Sequence, residues 1–261
     1  MSKRSTIRDI QAKSGDGQKL SMVTAYDAFS ARLVEQAGID IALVGDSVGT
    51  TLQGRTDTLA VGIEHMLYHT EIVARCTERV LVIGDMPFGS YQVNEDEAVR
   101  NAVEFLKAGA QAIKLEGGAS VLPLIERMSD AGIPVMGHLG FTPQSTNITS
   151  GPRVNKSRDE LLEDAESLAD AGVFAIVLEM VPSKIAQEIT KAIGVPTIGI
   201  GAGPHTNGQV LVFHDMLGFD PGFNPKFLKR YLDFHEQALG ALTKYKEEVE
   251  GGSYPGEEHS Y

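Results

Sequence analysis

The sequence predicts an α/β protein built as a (βα)8 TIM barrel with a short N-terminal helix, and three observations predict it. Eight β-rich apolar runs alternate with helical ones along the chain. Several of those runs are apolar nearly throughout, as parallel strands buried on both faces require. A polar residue recurs at nearly every strand's carboxyl end, the end at which such barrels carry their active sites. An open doubly wound sheet would give the same alternation, and the strand count favours closure. The length of 261 residues suits a single barrel, which takes roughly 250.

An amphipathic helix is expected at Thr6–Ser14. Strands follow at Leu20–Tyr26, Ile41–Gly45, Val80–Gly84, Ala112–Leu115, Pro134–Gly137, Ala175–Leu178, Pro196–Ile200 and Gln209–Phe213. The intervening helices have readable ends. Asn94 precedes Glu95, Asp96 and Glu97, an N-cap with acidic residues where the helix dipole favours them. Ser157-Arg-Asp-Glu160 has capping-box spacing, and Ser183 after Pro182 is expected to cap the next helix. Gly38, Gly109, Gly132 and Gly172 each stand between a helix and a strand, where a left-handed C-cap reverses the chain. The barrel is expected to fill residues 1–250 as one catalytic domain, with 251–261 as a flexible tail. The longest loop, Phe141–Lys156, follows strand five on the expected active face.

Composition narrows the partners. Hydrophobic residues make up 42%, enough for one large core. A net charge of −12 repels nucleic-acid phosphates and anionic lipid, so small-molecule substrates are expected instead. An anionic substrate then needs a local cation, for which a bound metal is the obvious candidate. The lone cysteine, Cys76, allows no internal disulfide, and no apolar run approaches the length of a membrane span. A cytoplasmic protein is expected.

The strand ends carry the chemistry. Asp46 and Asp85 each follow an apolar run and a glycine, and paired hard carboxylates on adjacent strands suit Mg²⁺. Taken singly, each aspartate is better read as a helix cap; the pair on adjacent strands favours the metal. Lys114 and Glu116 lie two apart and share a strand face, fit for holding a substrate carboxylate, for a buried ion pair, or for a Schiff base at the lysine. Glu179 ends Ala-Ile-Val-Leu-Glu, an apolar setting that suits a general base for a weakly acidic C–H. His138 could donate to an enolate oxygen or be structural. His65 and His69 have zinc-ligand spacing but no third ligand nearby, and the Gly199–Gly203 run lacks the long helix of a dinucleotide site.

Seven segments together resemble the ketopantoate hydroxymethyltransferase family, from about Thr6 to Lys246. They are Met-Val-Thr-Ala-Tyr-Asp27, Leu-Val-Gly-Asp-Ser47, Asp85-Met-Pro-Phe-Gly-Ser-Tyr, Ile-Lys114-Leu-Glu116-Gly-Gly, Gly-His138-Leu-Gly-Phe-Thr-Pro-Gln-Ser, Val-Leu-Glu179-Met-Val-Pro and Ile-Gly-Ile-Gly-Ala-Gly203. The resemblance implies a barrel related to the phosphoenolpyruvate mutase and isocitrate lyase group. It implies transfer of a one-carbon unit from 5,10-methylenetetrahydrofolate to α-ketoisovalerate, within pantothenate synthesis, through a Mg²⁺-stabilised enolate. Asp46 and Asp85 would be metal ligands and Glu116 a metal-associated carboxylate. Asp46, Ser47, Asp85, Lys114 and His138 would surround the keto-acid, and Glu179 would accept the proton. A homo-oligomer is implied too, since the family is commonly decameric. The chain departs from the usual family pattern at Gly84, where alanine is frequent, and in the loop Ser150–Lys156.

Overall fold

Thr6 caps the first helix, α1 (Ile7–Gly15), by a reciprocal pair of bonds with Asp9. The chain then alternates as expected: β1 (Leu20–Thr24), α2 (Ala28–Gln36), β2 (Ile41–Val44), α3 (Val48–Thr51), α4 (Ile63–Arg75), β3 (Leu81–Asp85), α5 (Glu95–Lys107) and β4 (Ala112–Lys114). It continues with α6 (Leu122–Asp130), β5 (Val135–Gly140), α7 (Arg158–Asp170), β6 (Ala175–Glu179), α8 (Ser183–Ala192), β7 (Thr197–Ile200) and β8 (Gly208–Leu211). This computed structural model describes residues 4–145 and 157–261, so the divergent loop at 150–156 lies outside the described residues.

All eight strands pair in parallel with their sequence neighbours, and β8 pairs with β1 to close the barrel. β2 and β3 are buried along their whole length, in keeping with their unbroken apolar runs. Ile41, Leu81 and Ile83 have no exposed surface, and each such side chain contributes about 1.5–3 kcal/mol of burial. The outer helices turn one stripe inward, as Ala98, Ala102 and Phe105 do on α5.

Local signals read as expected at several points. Asn94 caps α5 by accepting from Glu97 N, and Gly38, Gly109, Gly132 and Gly172 all take positive φ. Two details differ. Pro182, not Ser183, stands at the N-cap of α8, and Ser183 is its first helical residue. β5 runs on to Gly140, past His138, because its pairing with β6 continues through Gly140 opposite Glu179. Gly84 fills a special place in β3: a Cβ there would lie 2.3 Å from the ring of Phe105 on α5.

The chain divides into two compact units, Met1–Val212 and Phe213–Tyr261. The barrel is the first. The second holds α9 (Phe213–Met216) and α10 (Phe234–Glu250), tied by a backbone bond from Tyr231 to Met216 and by the stack of Phe219 on Phe234 at 4.0 Å. None of the residues of α10 is buried, and Leu239, Leu242, Tyr245 and Val249 are exposed. Among the described residues no helix is long and apolar enough to cross a membrane.

Candidate active site

Parallel register builds the site. Asp85 ends β3 directly opposite Lys114, the last residue of β4, and their side chains meet as an ion pair of 2.5 Å. Asp46 lies two residues beyond β2, and its backbone N–H donates to the other oxygen of Asp85 at 3.1 Å. Neither aspartate caps a helix through its side chain: Ser47 stands at the N-cap of α3 without a side-chain bond, and Asp85 is committed to Lys114 and Asp46. Asp27 does cap, accepting from Phe29 and Ser30 at the start of α2, and so takes no part in the site. Ser47 does belong near it, its hydroxyl 2.8 Å from that of the buried Tyr26.

Glu116 continues the line of β4, where Leu115 and Gly117 still donate to Met136 and His138 on β5. His138 stands between two carboxylates, with Nδ1 3.4 Å from Glu116 and Nε2 3.2 Å from Glu179. These are charge contacts without hydrogen-bond geometry, and both ring nitrogens and Glu116 Oε1 are buried with no hydrogen bond. Asp46, Asp85, Lys114, Glu116 and His138 are each at most 5% exposed. Glu179 is more open, its side chain 18% exposed. The apolar run before Glu179 belongs to the strand, so it does not enclose the carboxyl as the sequence suggested. Met180, just after it, takes φ +53°, an unusual conformation for a bulky residue and one that turns the chain away at the site's edge.

Burial makes the charges strongly interdependent. Desolvation, then the like charges of Asp85 and Glu116, push Asp46 up to about 8, against the pull of Lys114 and the Gln144 amide. Burial disfavours the charge on Lys114, but Asp85, Glu116 and Asp46 outweigh it and hold the ammonium above its ordinary range. Burial and Lys114 likewise oppose a charged His138, yet Glu116 and Glu179 carry it up to about 9. Burial raises Glu116, but His138, Lys114 and the Gln144 backbone amide bring it below its usual value.

Could these residues hold a metal? Among the described residues no three His, Cys, Asp or Glu side chains converge as a ready-made shell. What is present is a pair of adjoining hard carboxylates, one of them raised to about 8 by burial and its like-charged neighbours, and a buried Glu116 oxygen that faces His138 without a hydrogen bond. That donor set fits a hard divalent cation that keeps waters or substrate oxygens for its remaining positions. His65 and His69 are engaged elsewhere, His65 accepting from Gly62 N and His69 contacting Tyr26 O at 2.6 Å. The Gly199–Gly203 run is a packing device: a Cβ at Gly203 would strike Ser183, and no helix follows before β8.

Residues 4–257 match the family model described as ketopantoate hydroxymethyltransferase. The chain belongs to that family. Among curated relatives, the 3-methyl-2-oxobutanoate hydroxymethyltransferase of Ignicoccus hospitalis is 52% identical over 259 residues, covering 98% of both chains. The enzyme of that name from Syntrophobacter fumaroxidans is 53% identical over 266 residues, covering all of this chain and 94% of the relative. The chain is therefore an enzyme of the ketopantoate hydroxymethyltransferase family. Solved structures support the fold. A 2,3-dimethylmalate lyase of the PEP mutase/isocitrate lyase superfamily superposes with a TM-score of 0.62 at 15% identity, covering 97% of this chain and 90% of that one. A phosphonopyruvate hydrolase solved with oxalate and Mg²⁺ gives 0.65 at 15% identity, covering 95% and 88%.

Two neighbours of the carboxylates escaped the sequence reading. Gln144 and Tyr91 are buried and bonded to Asp46 and Glu116, respectively. Both sit inside family-like segments, but neither carries charge nor ends a strand, so nothing in the pattern of strand termini marks them.

Proposed function

We propose that this enzyme transfers a hydroxymethyl group from 5,10-methylenetetrahydrofolate to 3-methyl-2-oxobutanoate, giving 2-dehydropantoate, with Mg²⁺ or another divalent cation at Asp46 and Asp85. The observation that carries this reading is the adjoining pair Asp46 and Asp85, whose mutual repulsion a cation would relieve. Full-length membership in the family supports the substrates.

The cation, when bound, supplies Lewis-acid polarisation of the keto-acid's carbonyl. Lys114 spends one of its three N–H donors on Asp85, leaving the others for a substrate carboxylate. Ser47, oriented by Tyr26, offers a hydroxyl to the same substrate. Glu179, the most open carboxylate of the group, removes the proton from C3 of the keto-acid. The C3 carbon forms a C–C bond to the methylene carbon of the folate as one of that carbon's C–N bonds breaks. Water then supplies the hydroxyl as the second C–N bond breaks, and tetrahydrofolate leaves carrying the protons on its nitrogens. His138 lies within reach of both Glu116 and Glu179 and keeps the base beside the metal-side carboxylate.

The Schiff-base alternative at Lys114 runs against its surroundings. A nucleophilic amine must lose its proton, whereas three carboxylates hold this one on. The deciding assay is folate-dependent product formation with and without a chelator, alongside exchange of the C3 proton of 3-methyl-2-oxobutanoate in D₂O. Turnover that survives chelation, with a borohydride-trapped adduct on Lys114, would replace the metal reading. We also propose self-association, supported by the exposed apolar side chains of α10, and a cytoplasmic setting.

A further inference from the structure

We propose that Gln144 is a positioning residue that sets the direction in which Asp46 and Glu116 present their oxygens. This inference rests on the reading of Asp46 and Asp85 as cation ligands. Gln144 lies in a single 3-10 turn, Pro143–Ser145, just beyond β5, and is 4% exposed. Its side-chain amide makes every bond available to it. Nε2 donates to Asp46 Oδ2 at 3.0 Å and to Met86 O at 3.0 Å. Oε1 accepts from the Tyr91 hydroxyl at 2.9 Å and from Gln92 Nε2 at 3.0 Å. An amide has two N–H donors and two acceptor lone pairs, so none is left over.

That completeness fixes which way the amide points. Turned over, its NH₂ would face the Gln92 NH₂, and its oxygen would face both Met86 O and the Asp46 carboxylate. The contacts with Met86 O and Gln92 Nε2 would become repulsive whatever the protonation of Asp46. That with Asp46 would too once its carboxylate is charged, and buried polar groups left unmade in this way are costly. The donor therefore always faces Asp46. By holding Oδ2 it sets the plane of that carboxylate and the direction of Oδ1.

The main chain of the same residue acts on a second carboxylate. Gln144 N donates to Glu116 Oε2 at 3.1 Å, and the oxygen left buried without a hydrogen bond is Oε1 of the same group. Tyr91 completes the circuit, since its hydroxyl bonds Glu116 N and O as well as Gln144 Oε1. One neutral residue thus ties the loops after β3 and β5 to carboxylates on the ends of β2 and β4. Outer-shell partners of this kind typically carry a 10–100-fold effect on metal affinity, roughly, when removed.

The test uses the full-length enzyme and Mn²⁺ as the probe, with free Mn²⁺ counted by electron paramagnetic resonance. Gln144→Met keeps the backbone bond to Glu116 and much of the volume while deleting the amide. It is expected to weaken Mn²⁺ binding by about 10–100-fold, raise the metal's apparent KM, and lower kcat far less at saturating metal. Tyr91→Phe removes one oxygen and is expected to weaken Mn²⁺ by a few-fold, with no further loss when added to Gln144→Met. Should Gln144→Met not fold, Tyr91→Phe decides alone. Folded variants that bind Mn²⁺ within twofold of the wild type overturn the assignment of Gln144 and leave the cation reading standing. A wild-type enzyme that binds no Mn²⁺ overturns both.

Discussion

Gly84→Ala adds one methyl group and tests how tightly the strand carrying Asp85 is held. The new Cβ would lie 2.3 Å from Cδ1, 2.8 Å from Cε1 and 3.1 Å from Cγ of the Phe105 ring. Carbon atoms rest at about 3.5–4.0 Å, so the ring or the strand must give way by more than about 1 Å. Phe105 has no exposed surface and nowhere to withdraw without disturbing α5. Overpacking of this kind costs about 1–3 kcal/mol, offset by about 0.4–1 kcal/mol from the stiffer unfolded chain. A net loss of about 1–2 kcal/mol is expected, which for a chain of this size lowers Tm by about 2–8 °C. Thermal unfolding of the variant in the metal-free state reads it directly. Phe105→Leu should relieve most of the clash, so the same substitution in that background is expected to be near neutral. An unchanged or higher Tm for Gly84→Ala, or an equal loss in both backgrounds, would refute the packing argument.

Four further outcomes are expected. Glu179→Gln should retain binding of 3-methyl-2-oxobutanoate but abolish C3 exchange in D₂O, and wild-type exchange in that variant would remove Glu179 as the base. Asp85→Asn leaves Lys114 buried without its anion. It should abolish metal-dependent substrate binding in calorimetry and destabilise the fold by about 3–5 kcal/mol. Asp46, raised to about 8, must give up its proton to a cation, so metal binding at neutral pH should release close to one proton and strengthen as pH rises towards 8. Calorimetry in buffers of different ionisation enthalpy counts that proton, and a count of zero would contradict the assignment. In the metal-free enzyme Asp46 and His138 both hold protons more tightly folded than unfolded. Their stabilisation is therefore complete at low pH and is lost as pH climbs from 3.8 to about 8 for Asp46 and from 6.5 to about 9 for His138. Tm without metal should fall over those intervals, and a flat profile would contradict the environments described.

The barrel was legible because its signals are local and repeated. Unbroken apolar runs such as Ile41–Val44 read as doubly buried strands, and the glycines before the next strands marked helix ends wherever they took positive φ. Strand ends were less sharp: His138 and Gly140 look like a loop in sequence, yet β5 continues because β6 lies alongside to receive it. The meeting of Asp85 and Lys114 was legible by the same logic, since parallel register brings them together once each is known to end its strand. Asp27, just past the strand expected at Leu20–Tyr26, is a helix cap, a distinction set by which backbone N–H groups lie nearest. Gln144 and Tyr91 were not legible. Their role comes from tertiary closure of two loops over the carboxylates, and neutral polar side chains leave no trace in charge or periodicity.

The meeting of β5 and β6 bears on which substitutions this lineage can accept. Gly140 takes φ +98°, and a Cβ there would fall 2.2 Å from the carbonyl oxygen of Glu179, the same oxygen that accepts from Phe141 N. Any side chain at position 140 would push on the backbone of Glu179 and on the stem of the loop carrying Gln144 at once. A single nucleotide change at that codon can therefore damage two parts of the site without touching a polar group. In a library of random variants, inactive clones should gather at Gly140 as densely as at the carboxylates themselves. Exposed positions a few ångströms away should drift freely.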